Sequence, residues 1–229
     1  MKLLIINRHC NYSAISAHKK RPSWFSREKC FNNLLNTIKD RSEVSVHVLF
    51  DGDSSQHFTK SSGVLVKEID AKSGAKSFIM SMDYALEVAD DDTLIYFLED
   101  DYMHVPGWVD VMFEGASIVH DAYLSLYDHN DKYFLPQYAS LKSQIFTSPR
   151  CHWRTTPSTT DTFAIRPSTL KKHYNIMKKW SDIGLNYSQD HKRCLELWDN
   201  GVPLITSIPG FSTHCEENLL SPVVNWSLL

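Results

Sequence analysis

Residues 93–104 read Thr-Leu-Ile-Tyr-Phe-Leu-Glu-Asp-Asp-Tyr-Met-His, an apolar run that stops in Glu99-Asp100-Asp101. An apolar run of this kind suits a strand buried on both faces. Three adjacent carboxylates at its end repel one another unless a cation or a set of donors offsets the repulsion. A solvated turn accounts for an Asp after a strand, but less well for three acids after a wholly apolar one. The cluster therefore reads as a site for a divalent metal held together with a phosphate-bearing substrate. Hard oxygen ligands select Mg2+ or Mn2+ over zinc, and few protein ligands leave room for phosphate oxygens in the shell.

The sequence around this strand alternates strand-like and helix-like segments. Lys2–Ile6 is a short apolar strand that turns polar at Asn7-Arg8-His9. Beyond a basic, turn-rich stretch through Pro22, Phe31, Leu34, Leu35 and Ile38 recur at helical spacing. Ser45–Phe50 alternates Val46, Val48 and Phe50 with polar neighbours and ends at Asp51-Gly52-Asp53, and Val64–Ile69 is a further strand. From Ser73 onward Ala75, Phe78, Ile79, Met82, Ala85, Leu86 and Ala89 keep one helical face, the strongest such pattern in the chain. Strand 93–98 follows directly. The βαβαβ order predicts an α/β fold with a mostly parallel sheet and helices on its faces. Ligands in such sheets sit beyond the carboxyl ends of the strands, where Asn7-Arg8, Asp51 and Glu99–Asp101 would converge.

The second half is less regular. A helix is expected near Pro106 with Trp108 and Met112 inward, then a strand over Ala122–Tyr127. Residues 128–163 are rich in Thr, Ser, Pro and aromatics. Helices are expected from Pro167 and after Ser188 as N-cap, and a last strand over Pro203–Ile208 precedes Phe211-Ser212-Thr213-His214. No repeat, low-complexity segment or linker divides the chain, so a single domain over 1–229 is expected.

Composition narrows the function. The net charge of −3, with Lys and Arg scattered rather than striped, makes nucleic acid a poor partner. The opening apolar run is too short for a signal-peptide core, and no stretch reaches transmembrane length. Five cysteines (Cys10, Cys30, Cys151, Cys194, Cys215) with no CxxC pairing suit free thiols in a reducing compartment. The Asn-x-Ser matches at Asn11, Asn186 and Asn225 are taken as chance, and the expectation is a cytoplasmic protein.

Phe97-Leu98-Glu99-Asp100-Asp101, with Pro106-Gly107-Trp108 shortly after, resembles the DxD region of GT-A glycosyltransferases, in the Glu-Asp-Asp form similar to inverting N-acetylglucosaminyltransferases. The resemblance covers about residues 1–105 and implies a GT-A (Rossmann-like) fold with a nucleotide-sugar-binding half at 1–105 and an acceptor half at 106–229. It implies that Asp101 coordinates a metal bridging the donor diphosphate, that Asp100 bonds the donor sugar, and that Glu99 lies near the ribose or a metal-bound water. By the same likeness Asp51 faces the base, Asn7 and Arg8 line the pocket, and His214 is a late metal ligand. UDP is the nucleotide that the family suggests.

The resemblance also implies a role for Lys76 and a general base at the start of a helix in the second half, while a last assignment comes from the residues alone. Lys76, in the first turn of the long helix, could reach a phosphate, since a helix N-terminus with an ammonium favours an anion; a solvated surface lysine is the plain alternative. An inverting transfer needs a carboxylate near the acceptor hydroxyl. Asp190 at the start of the helix after Ser188 fits, with Asp161 and Asp182 as alternatives, and a retaining course stays open. Trp153, Arg154 and Thr156 place an aromatic, a cation and a hydroxyl together, which suits a sugar-binding wall or else a Thr-rich hairpin with a core Trp.

The expected activity is thus metal-dependent sugar transfer to a hydroxyl acceptor, in surface-glycan or polysaccharide synthesis. A sugar-nucleotide nucleotidyltransferase is a rival, although it usually carries a Gly-rich loop after the first strand, and Asn7–Ser16 has no glycine. A non-catalytic carbohydrate-binding relative is the other, which retention of all three acids argues against.

Overall fold

The computed structural model describes all residues 1–229. In chain order the elements are β1 (Lys2–Cys10), α1 (Arg27–Ile38), β2 (Val44–Asp51), β3 (Leu65–Ile69), α2 (Gly74–Val88), β4 (Thr93–Glu99), β5 (Tyr102–His104), α3 (Trp108–Ile118) and β6 (Tyr123–Ser125). There follow α4 (Asp131–Phe134), β7 (Ile145–Thr147), β8 (His152–Thr155), β9 (Phe163–Ile165), α5 (Pro167–Lys179), α6 (Asp190–Asp199), β10 (Leu204–Ile208) and β11 (Ser212–His214).

A nine-stranded sheet of order β3-β2-β1-β4-β9-β6-β10-β8-β7 runs through both halves of the chain. Pairing is parallel across β3, β2, β1 and β4. Beyond them β9 and β8 run against their neighbours and the remaining strands keep the common direction, so the sheet is mixed but mostly parallel.

The two faces are legible in β4. Leu94, Tyr96 and Leu98 join one core with Leu34 of α1 and Trp108 and Met112 of α3. Ile95 and Phe97 join the other with Phe78 and Met82 of α2, Leu170 of α5 and Leu197 of α6. Period-two alternation sends successive side chains to opposite faces, and helices on both faces leave no polar face to the strand. This is why the segment reads as an uninterrupted apolar run.

The long helix α2 starts where expected: the Ser73 hydroxyl accepts the Lys76 N–H, an N-cap contributing about 1 kcal/mol. For α6 the N-cap is Gln189 rather than Ser188, and makes no side-chain cap bond. The Ser188 hydroxyl donates instead to Asp161 Oδ2 at 3.0 Å. β1 continues through Cys10, past the expected end at Ile6, because Asn7, Arg8 and His9 are themselves buried and pair with β2 and β4. No helix is long and apolar enough to cross a membrane.

A two-stranded ribbon of β5 and β11 stands at the carboxyl edge of the sheet. Its antiparallel register sets His214 opposite Tyr102 and so beside Asp101. β5 is anchored by His104, whose ring accepts or donates at Tyr96 Oη (2.9 Å) and stacks on Trp108.

His104 is fully buried, and burial pushes its imidazole down from 6.5 to about 3. The unfolded chain therefore takes up a proton below about 6.5 that the folded one refuses. Stability from this group is complete above that pH and lost as pH falls towards the folded value, by roughly 2 kcal/mol at pH 5. Urea unfolding of His104→Phe at pH 7 and pH 5 should show an acid-induced loss smaller than wild type by about that amount. Identical losses in both proteins would contradict the neutral buried imidazole.

Candidate functional site

At the carboxyl ends of β1, β2 and β4 lies a cavity of about 640 Å3. The loop 11–19 closes one side, the start of α2 another, and segments 160–161 and 186–190 the far wall. Arg8, Asp51, Glu99, Asp100, Asp101 and Asp190, all singled out from the sequence, line it together.

The three acids of β4 are each met by a different arginine. Arg8 Nη2 stands 3.6 Å from Glu99, Arg27 Nε 3.0 Å from Asp100, and Arg21 Nη2 2.8 Å from Asp101. Arg8 arrives with β1, the strand hydrogen-bonded alongside β4, and Arg27 with the first turn of α1. Arg21 comes from the basic stretch between them, which folds back so that Arg21 also donates to Ser16 Oγ and to the Cys215 carbonyl.

Asp101 is the most enclosed of the three. Burial pushes its carboxyl up, but His214, Lys19 and Arg21 outweigh burial and hold it well below the usual carboxylate range. Asp100, with burial and the Asp101 charge both against ionisation, is pushed up to about 7. His214 Nε2 lies 3.0 Å from Asp101 Oδ2 and 3.0 Å from Lys19 Nζ. The imidazole sits behind the carboxylate, so that an ammonium stands where Asp101 and His214 converge.

Whether these residues suit a divalent cation can be tested on the geometry. Nowhere do three His, Cys, Asp or Glu side chains gather at ligating distance, so any metal must draw most of its shell from substrate and water. In favour, Asp101 Oδ1 is buried with no hydrogen-bond partner, and one cation, the Lys19 ammonium, already stands 3.6 Å from Asp101 Oδ2 and 3.0 Å from His214 Nε2. The lining also carries seven carboxylates against four Lys and Arg cations. A diphosphate entering such a lining requires added positive charge. The donor set of carboxylate oxygen and imidazole nitrogen fits Mn2+ or Mg2+ with phosphate oxygens completing the shell.

The far wall is a second charge network. Arg193, wholly buried between the rings of Phe78 and Phe163, bonds Asp161 Oδ1 at 2.5 Å and stands 3.4 Å from Asp190 Oδ1. Arg8 Nη2 lies 3.6 Å from Asp161 on the other side. Burial would raise Asp161, yet Arg193 and then Arg8 bring it below its ordinary value. Asp190 differs: burial and then the neighbouring Asp161 charge push it well above, and its Oδ1 has no hydrogen-bond partner. A carboxyl of raised proton affinity in a cavity wall has the chemistry of a general base. Arg8 in turn keeps Nε and Nη2 buried without hydrogen-bond partners, while Nη1 donates to the Gly74 carbonyl at the start of α2.

Several expectations are corrected. Asn7 does not line the cavity: its amide donates to the Leu98 carbonyl and its Oδ1 accepts from His9, inside the sheet. Lys76 projects to solvent, and Lys72, at φ 61, lines the cavity instead. Asp51 is at the cavity, but Oδ1 is engaged by the N–H groups of Ala71 and Lys72. Trp153 is no sugar platform, because its ring is fully buried against Gly115, where an added Cβ would stand 2.5 Å from Cζ2. Arg154 is tied to Asp128 at 2.8 Å and, like Thr156, is buried away from the cavity. Asp182 is exposed and off the site, whereas Asp161 is part of it. Lys19, Arg21, Arg27 and Arg193 were not anticipated, although the three acids called for counter-charges and the basic stretch before α1 was visible.

Comparison with protein-family models and with curated proteins gives no match. Among solved structures the fold is similar to that of CMP:2-keto-3-deoxy-manno-octonic acid synthetase complexed with CTP, with TM-score 0.54 and 12% identity over 92% of each chain. It is also similar to TarS of S. aureus, with TM-score 0.51 and 13% identity, 90% of this chain matching 35% of that one. A third likeness is to a Desulfovibrio desulfuricans G20 protein described as a nucleotide-diphospho-sugar transferase, with TM-score 0.53 and 8% identity over 90% of this chain and 80% of that one. At such identities the likeness establishes the fold.

Removing one partner of a buried ion pair strands the other charge, at a cost of about 3–5 kcal/mol. Arg193→Met should therefore lower unfolding stability by about that amount in chemical denaturation, despite its apolar surroundings. A loss below about 1 kcal/mol would contradict the network.

Proposed function

We propose that the protein is a metal-dependent glycosyltransferase that moves a sugar from a nucleotide-sugar donor, UDP-linked, to a hydroxyl acceptor with inversion, in glycan or polysaccharide synthesis. The observation that carries this reading is convergence. The acids ending β4, the acid ending β2, the start of α2 and Asp190 all line one cavity at the carboxyl edge of the sheet. Ligands of open α/β sheets bind at that edge, and the structural neighbours include a protein described as a nucleotide-diphospho-sugar transferase.

In this reading residues 1–105 bind the donor and 106–229 the acceptor, within one domain. Asp101 and His214 hold the cation, Asp100 and Glu99 face the donor sugar and ribose, and Asp51 faces the base. Arg8, whose Nε and Nη2 make no hydrogen bond although Nη2 stands 3.6 Å from both Glu99 and Asp161, supplies a cation to the cavity for the anionic part of the donor. The metal, when bound, offsets charge on the departing diphosphate. Asp190 takes the proton from the acceptor hydroxyl as its oxygen bonds to the anomeric carbon, and the electron pair of the breaking C–O bond leaves with the diphosphate. Five cysteines, an odd number with no CxxC pairing, suit a reducing, cytoplasmic setting.

One observation favours a second reading, a sugar-nucleotide nucleotidyltransferase: the synthetase likeness covers nearly the whole of both chains. The absence of glycine between β1 and α1 argues against it, since such enzymes usually cradle a triphosphate there.

Calorimetry should show UDP binding in Mn2+ that weakens about tenfold or more with chelator or in Asp101→Ala, a loss of at least about 1.4 kcal/mol. Metal-independent UDP binding would contradict the metal role, and CTP or UTP turnover with a sugar phosphate would favour the rival. For transfer itself, Asp190 must be ionised, so the rate should rise with pH along an acid limb above the ordinary carboxylate range. That limb should vanish in Asp190→Asn; an unchanged profile would reassign the base.

A further inference from the structure

A second cavity, of about 290 Å3, lies between α4, the turn carrying Gln137 and Tyr138, segment 158–160 and the start of α6. Thr160 and Asp190 are the two residues it shares with the first cavity. Asp190 therefore stands in the wall between them, its side chain 31% exposed. We propose that this second cavity receives the acceptor, and that the acceptor is an uncharged polyhydroxy compound, a glycosyl or polyol hydroxyl, presented to Asp190 from the side away from the β4 acids. The proposal rests on the transferase reading above and adds the acceptor's place and chemical class.

Charge separates the two cavities. The first holds Arg8, Lys19, Arg27 and Lys72, and suits an anionic donor. In the second, Lys132 gives its ammonium to both oxygens of Asp131 at 3.1 Å, with the Tyr138 ring 4.3 Å away, and its side chain is 1% exposed. His129 is neutral, because burial and then Lys132 hold it well below its ordinary value, and Nε2 lies 3.1 Å from Thr159 Oγ1. No cation is left to greet an anion, while the Asp190 carboxylate would repel one.

What remains is directional and uncharged. Gln137, Tyr138 and Ser158 offer amide and hydroxyl groups around a space just under the usual range for ligand pockets, the Thr160 hydroxyl being engaged by Tyr102 and Thr162. Few polar groups fixed in a concave surface orient a hydroxylated ligand. A hydroxyl held at the shared wall gives its proton to Asp190 beside it while its oxygen faces the donor cavity, which is the arrangement an inverting attack needs.

The test uses the full chain and simple probes. Saturation-transfer NMR is run with methyl glucoside, methyl galactoside and methyl N-acetylglucosaminide, and with glucuronate and glucose 6-phosphate, both without nucleotide and with UDP and Mn2+. Gln137→Trp and His191→Trp, at exposed positions on the rim, serve as plugs. At least one neutral glycoside should bind, the two anionic sugars should not, and both plugs should weaken binding about tenfold while UDP affinity is unchanged. Neutral binding that survives both plugs, preference for the anionic sugars, or no glycoside signal from protein that binds UDP would each overturn the proposal. Failure to bind UDP at all would count against the transferase reading instead. The nucleotide-free arm still decides the cavity by the same criteria.

Discussion

Everything at the carboxyl edge of the sheet depends on one electrostatic constraint. β4 is apolar on both faces and delivers Glu99, Asp100 and Asp101 in succession to a partly buried place. Such charges repel strongly away from water, and the chain answers with Arg8, Arg27 and Arg21. Those contacts fix more than charge. They draw the stretch between β1 and α1 over the cavity, and they set Lys19 next to the convergence of Asp101 and His214. The β5–β11 ribbon completes the arrangement by bringing residue 214 to residue 101 across more than a hundred residues of chain.

The far wall follows the same logic with one difference. Arg193 and Arg8 together satisfy Asp161, and the remaining acid, Asp190, has only Arg193 at 3.4 Å from its buried Oδ1 and no hydrogen bond there. Pairing one carboxylate while starving its neighbour pushes their proton affinities apart. Environments that split two acids in this way are how a single site holds both a fixed anion and a proton acceptor. The anion is then structural, and the acceptor is free to meet a substrate.

Much of this was legible in the sequence. Apolar runs in β1 and β4, alternation in β2 and helical spacing in α2 carried the first half, because these elements are long and strongly patterned. The end of β4 located the cavity. The second half was less readable: β6, β8, β9 and β11 are three or four residues each, too short for periodicity to speak. Trp153 and Arg154 looked like ligand contacts because an aromatic beside a cation reads the same on a surface and in a core. Only the close approach of Gly115 shows that the indole is packing. Lys76 failed for a simpler reason: the face of α2 on which it lies is exposed, and Lys72, just before the helix, lines the cavity instead. The counter-ions were hidden because partners such as Asp101 and Arg21 lie 80 residues apart.

The central claim is that Asp101 Oδ1, buried and unpartnered, is the anchor for a cation carrying a nucleoside diphosphate. Anomalous diffraction at the manganese edge, from crystals grown with UDP and Mn2+, tests it most directly. The account predicts a peak within bonding distance of Asp101 with diphosphate oxygens on its open side, and Lys19 moved away from His214. A peak elsewhere, or none with UDP bound and Lys19 still between Asp101 and His214, would contradict it.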